Sequence, residues 1–289
     1  MRVGAGSTLA DFVRRHPLIA YFGLAYAGTW LVWAFYMLSL DGLALLPFHA
    51  PASYLIIIGL GTFTGPHSLL PRSPRDAPVS RGSPPALCNG GLALLGICSY
   101  FLVCLPLKRW AASPCRACSP RSHPSTGCRS CWRRWCSSST PALLAGPLGE
   151  EIGWRGVALP KLQALYGPTQ ASLILGLLWA FWHAPIWFSG QWSQPTPLNI
   201  ATYVFWITAV TFIFTWVFNN TGGSVLMAIL LHGTMDVFPN MVLLPHLPAV
   251  GEMTSAGVLT MYLGLSLGFG LTALVLVVAT RGRLGRPAA

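Results

Sequence analysis

Five stretches of this chain stay apolar for about the thickness of a bilayer, and that decides most of what it can become. They run from about Leu18 to Leu40, Ala171 to Phe188, Ile200 to Phe218, Ser224 to Leu244 and Val258 to Thr280. A helix needs about 20 such residues to cross the hydrocarbon. Only 9% of the 289 residues are charged, whereas soluble domains carry roughly 25%, so a soluble enzyme is excluded. Two shorter runs, Ala52 to Gly65 and Leu92 to Leu107, and a segment entered through Leu143 and Leu144, bring the expected count to about eight spans. The first run is too long and too aromatic for a signal-peptide core and is read as a retained span. Arg14 and Arg15 at one end, and Arg281, Arg283 and Arg286 at the other, place both termini on the cytoplasmic side. An even number of spans follows. The expected fold is an all-α, multi-pass transmembrane helical bundle in a cell membrane, of bacterial inner-membrane type.

The net charge of +11 invites a nucleic-acid partner, but its distribution removes the invitation. Residues 66–141 hold ten of the eighteen Lys and Arg, one of the seven acids and all eight cysteines. Ser, Pro, Arg and Cys make up 41 of those 76 residues, without helical or strand periodicity. Three readings compete. Cys115, Cys118, Cys128 and Cys131 form a CxxC…CxxC pair that could close a tetrahedral zinc site, although nine residues between the pairs is short and no apolar core flanks them. The composition also suits a disordered basic loop. The favoured reading is a stretch translated out of frame, because membrane sequence resumes sharply on both sides. Translation of the locus in every frame tests it. The chain therefore divides into N-terminal spans (1–65), the anomalous segment (66–141), a membrane core (142–245), and a last span with a basic tail (246–289). With the basic segment discounted, no nucleic-acid partner is expected.

Ionisable groups inside spans are costly and mark function. Glu150 and Glu151 lie in "GPLGEEIGWRGVALPKLQ", with Arg155 four residues after Glu151 in the favourable order for a helical ion pair. Glu150 points about 100° away and is available for another task. His183 lies in "LLWAFWHAPIWF", one turn after Trp179 and two residues before Pro185, which leaves a carbonyl of the preceding turn without its helical donor. His232 and Asp236, one turn apart in "SVLMAILLHGTMDVF", could orient an imidazole, share a proton or help bind a metal. Each cluster alone has a structural explanation: an ion pair, a packed histidine, a polar pair joining helices. Three in separate, otherwise apolar spans point to one shared cavity.

In this order, "EEIGWR", "WAFWH" and "HGTMD" resemble the three signatures of the CAAX-processing and bacteriocin-processing (CPBP) intramembrane proteases, also called type II CAAX prenyl endopeptidases or lysostaphin-resistance-protein-A-like proteins. "NNTGGSVLMAILLH" resembles the usual lead into the third signature. The resemblance covers about Gly146 to Phe238. It implies that Glu150 activates water as general base, that His183 holds and polarises that water, and that His232 and Asp236 stabilise the oxyanion. Glu151 and Arg155 would fix the helix, with Trp179 in support. Relatives often carry Asn where this chain has Asp236. An ionised Asp cannot donate to an oxyanion, so Asp236 must be protonated, orient His232 or ligate a metal. If a divalent metal such as Zn is present, Glu150, His183 and His232 are its candidate ligands, although no HExxH spacing occurs.

The expected activity is intramembrane hydrolysis of peptide bonds in membrane-associated or lipidated substrates, with the lipid bilayer as the other partner. Eukaryotic relatives trim three residues from prenylated CAAX proteins. A non-catalytic protein for bacteriocin immunity or partner scaffolding is the alternative. A transporter would show an inverted repeat of broken helices, and none is visible.

Overall fold

The computed structural model describes residues 9–50, 146–188, 195–238 and 255–286. Every regular element among them is helical: α1 (Leu9–Arg15), α2 (Pro17–Leu38), α3 (Pro147–Gly153), a π-helical turn (Trp154–Ala158), α4 (Leu159–Trp182), α5 (Ala184–Trp187), α6 (Pro197–Asn220), α7 (Val225–Phe238) and α8 (Ser255–Ala279). The helices Pro17–Leu38, Pro147–Trp182, Pro197–Asn220 and Tyr262–Ala279 are long and apolar enough to cross a membrane, and Val225–Asp236 is a shorter apolar helix. The protein is a multi-pass helical membrane protein. Exposed leucines such as Leu31, Leu226, Leu267 and Leu271 are what a lipid-facing surface requires. The expected spans Ala52–Gly65 and Leu92–Leu107, the four paired cysteines and the whole anomalous segment lie outside the described residues, as does the end of the expected Ser224–Leu244 span.

The stretch Pro147–Trp182 is two legs, not one rod. At 1.5 Å per residue, Glu150 and Trp179 would stand about 43 Å apart in a straight helix, yet their side chains share a hydrogen bond of 2.7 Å. Gly167, at φ 74° and ψ 171°, breaks the helix and Pro168 restarts it; only glycine adopts that backbone cheaply, and proline suits a first helical turn. The chain reverses there, which separates the two expected spans around Glu150 and His183. The second leg ends earlier than the expected Phe188. It stops at Trp182, with His183 in the turn before α5.

The second leg of α4 packs against α6, and α6 against α8. Ser172 donates to Thr215 Oγ1 at 2.7 Å, and Ser266 donates to the Thr202 carbonyl at 3.0 Å. α2 runs parallel to the second leg: Tyr26 Oη donates to the Leu178 carbonyl and Trp30 Nε1 to the Trp182 carbonyl, a matched step of four residues in each. The start of α2 is thereby carried to the level of Pro168. Thr169 and Asn219 donate to the carbonyls of Gly282 and Leu284, so Arg14 and Arg15 gather with Arg281, Arg283 and Arg286 at one end. The positive-inside rule associates such an end with the cytoplasm.

Two helices approach closely at Gly176, where an added Cβ would stand 2.7 Å from Thr208 Cα. Small residues let membrane helices meet at that distance. Gly176→Ala is expected to cost about 1–3 kcal/mol, as overpacking against rigid backbone does. Gly264→Ala, where nothing lies within 4 Å, serves as control. Thermal unfolding in detergent checks both, and equal midpoints for the two variants would refute the close approach.

Candidate active site

Glu150 and Glu151 project from α3, a seven-residue helix opened by Pro147. They leave it on different faces, as adjacent helical residues must. Glu151 is fully buried, and its Oε1 accepts from Arg155 Nη1 at 2.7 Å. The same oxygen accepts from His232 Nδ1 at 2.8 Å, across 81 residues of sequence. The expected ion pair is therefore present and does more than brace its own helix, because it also grips α7. Arg155 sits in the π-helical turn, a local widening that recurs at functional sites. Its guanidinium lies 4.3 Å from the Trp179 ring centroid and 4.1 Å from that of Phe214. Two π faces and one carboxylate thus surround a cation that is wholly withdrawn from solvent.

Glu150 is turned the other way. Its Oε2 accepts from Trp179 Nε1 at 2.7 Å, which restrains that oxygen. The Trp179 ring meets the His232 ring edge-on at 5.2 Å between centroids and stands 6.3 Å from the His183 ring. Trp179, expected only as a supporting residue, is the hub that joins Glu150, the Arg155 guanidinium and both histidines.

His183 Nδ1 lies 3.0 Å from the Trp179 carbonyl. A carbonyl can only accept, so Nδ1 carries a proton and donates it. The ring is enclosed by Trp182 at 4.7 Å, Tyr203 at 5.9 Å and Trp33 at 6.4 Å. By the same reasoning His232 donates from Nδ1 to Glu151, and its Nε2 faces Asp236 Oδ2 at 3.6 Å. That separation is too long for a direct hydrogen bond but close enough for electrostatic pairing. Of the three roles open to Asp236, orienting and pairing with His232 has the geometry. Its side chain is 38% exposed, against 5% for His232.

The seven expected residues therefore form one connected cluster built from α3, the π-helical turn, the second leg of α4 and α7. The sequence reading missed Phe214, which closes the far side of Arg155, and the aromatic enclosure of His183 by Trp33 and Tyr203. None carries a motif signal, since each is one aromatic among many in an apolar span. No group of three His, Cys, Asp or Glu side chains converges at metal-holding distance among the described residues.

Removing Arg155 would leave Glu151 buried beside a lone imidazole. Breaking a buried pair in this way costs about 3–5 kcal/mol. Arg155→Ala is expected to unfold far below the parent protein in detergent, and Arg155→Lys to fall between them, because an ammonium cannot stack as a plane. A midpoint unchanged in Arg155→Ala would show the pair to be dispensable.

Residues 133–238 match the family model described as type II CAAX prenyl endopeptidase Rce1-like. A protein of Methanococcus maripaludis named CAAX prenyl protease 2 is 32% identical over 95 residues, which is 31% of this chain and 35% of that protein. The chain thus matches about a third of the relative's length. The matched segment holds every residue of the cluster.

Proposed function

We propose that this protein is an intramembrane endopeptidase of the CAAX-processing type. It cleaves membrane-associated or lipidated peptides near their C-terminus with a water activated by Glu150. The observation that carries the reading is a buried carboxylate held at one oxygen by Trp179, whose ring also stands 6.3 Å from that of His183 and 5.2 Å from that of His232, each with its Nδ1 already committed. The match of residues 133–238 to the family model, and the similarity over 95 residues to a protein named CAAX prenyl protease 2, support the same substrate class.

The chemistry follows from those commitments. A water donates one O–H to Glu150 and the other to His183 Nε2, which aligns its lone pair on the scissile carbonyl. Glu150 takes the proton as the oxygen adds to the carbonyl carbon. The carbonyl oxygen becomes an oxyanion, stabilised by the His232 imidazolium donating from Nε2. Collapse breaks the C–N bond, and Glu150 returns its proton to the departing amine. Glu151 and Asp236 act through His232: the first fixes its ring, and the second balances its charge. Arg155 in turn fixes Glu151. Low dielectric strengthens each of these interactions.

Full-length protein in membranes, given a farnesylated peptide with a CAAX terminus and its unprenylated twin, is expected to release the terminal tripeptide by mass spectrometry. With ¹⁸O water, one label should enter the new carboxylate. Glu150→Gln keeps the acceptor from Trp179 but not the base, and should lower kcat by about 10²–10⁴-fold, the range for a general base. Cleavage by Glu150→Gln at the parent rate would overturn the mechanism. Folded protein that cleaves neither peptide would favour an immunity or scaffolding role.

A further inference from the structure

We infer that α2, which lies wholly outside the family-matched segment, is a positioning element for His183 and acts through Tyr26, Trp30 and Trp33. The inference rests on the protease reading for its kinetic consequence, but its structural content stands apart from it.

Tyr26, Trp30 and Trp33 fall at i, i+4 and i+7 and so share one face of α2. Each touches the last turn before His183. Tyr26 Oη donates to the Leu178 carbonyl, Trp30 Nε1 donates to the Trp182 carbonyl at 2.9 Å, and the Trp33 ring lies 4.8 Å from Trp182 and 6.4 Å from His183. This turn needs outside support. Pro185 has no N–H to return to the carbonyl four residues back. Ile186 donates to the His183 carbonyl at 2.9 Å, a tighter turn than the α-helical one. Helix ends leave their last carbonyls in want of donors, and in hydrocarbon no bulk water supplies them. Trp30 supplies one from a different helix. His183 follows directly after that anchored residue, and its ring bonds back to the Trp179 carbonyl within the same turn. The position of its Nε2 is therefore set by whether α2 is docked. Trp33 is itself buried to 2% exposure, whereas Trp30 stands at 38%, so the Trp30 donor can be removed with little loss of packing.

Trp30→Phe and Tyr26→Phe delete the donors and keep the rings. In the full-length protein, cleaving the farnesylated CAAX peptide, Trp30→Phe is expected to lower kcat about tenfold with KM within twofold, because misplacement of an oriented group falls on the chemical step. Trp30→His, which restores a ring N–H, should recover part of kcat. Hydrogen exchange of the amides at 183, 184 and 186–188 should quicken in Trp30→Phe while exchange in α6 stays unchanged. A Trp30→Phe protein with parental kcat and parental exchange overturns the inference, as does a KM rise without a kcat loss. If the parent protein cleaves nothing, the protease reading fails, and the exchange measurement alone decides whether α2 holds the turn.

Discussion

One carboxylate oxygen organises this protein. Glu151 Oε1 accepts from Arg155 in the π-helical turn that follows α3 and from His232 on α7, 2.7 and 2.8 Å away. Both donors and the acceptor are buried. Breaking a pair of charges taken out of water leaves one of them uncompensated, so the rest of the core is arranged around this demand. Trp179 and Phe214 sheathe the guanidinium, and the π-helical turn carries Arg155. α7 is drawn against α3 because His232 must arrive there. What looks like a local ion pair is the joint of three segments.

The two adjacent glutamates illustrate how one helix separates two tasks. Glu151 is spent on structure, with its donors fixed. Glu150 receives the Trp179 indole as its donor among the described residues. The two histidines divide in the same manner. Each commits Nδ1 to a rigid acceptor, one a backbone carbonyl and the other a carboxylate, and each thereby directs Nε2 elsewhere. Side chains held by fixed partners in this way incur little reorganisation when a ligand arrives.

The bilayer explains why the surrounding shell is so aromatic. Without a hydrophobic drive between helices, packing contacts and interhelical hydrogen bonds must hold the bundle. Tryptophan and tyrosine supply both, a large ring and a donor that reaches carbonyls. Tyr26 and Trp30 use theirs on the turn that carries His183, and Trp179 uses its own on the base. Where even these rings would hold helices apart, Gly176 lets α4 approach the backbone at Thr208.

The sequence by itself determined the solvent and the chemical inventory. Apolar runs separated by Pro and Gly leave a helix only one place to be, and an Arg one turn after a Glu pairs in any helix. The spans around Tyr26, Thr208 and Ala273 therefore lie where the pattern put them, within a few residues at each end, and the Glu151–Arg155 contact follows from spacing alone. The chain reversal at Gly167–Pro168 also belongs to local chemistry, since that dipeptide breaks a helix wherever it stands. Only the tertiary structure decided which partners meet across the sequence. It assigned His232 to Glu151 rather than Glu150, made Trp179 the donor to the base, closed Phe214 over Arg155, and brought α2 to the turn before His183. Those contacts join residues from 29 to 152 positions apart. They depend on helix rotation and register, which an almost uniformly apolar sequence does not encode in any local pattern.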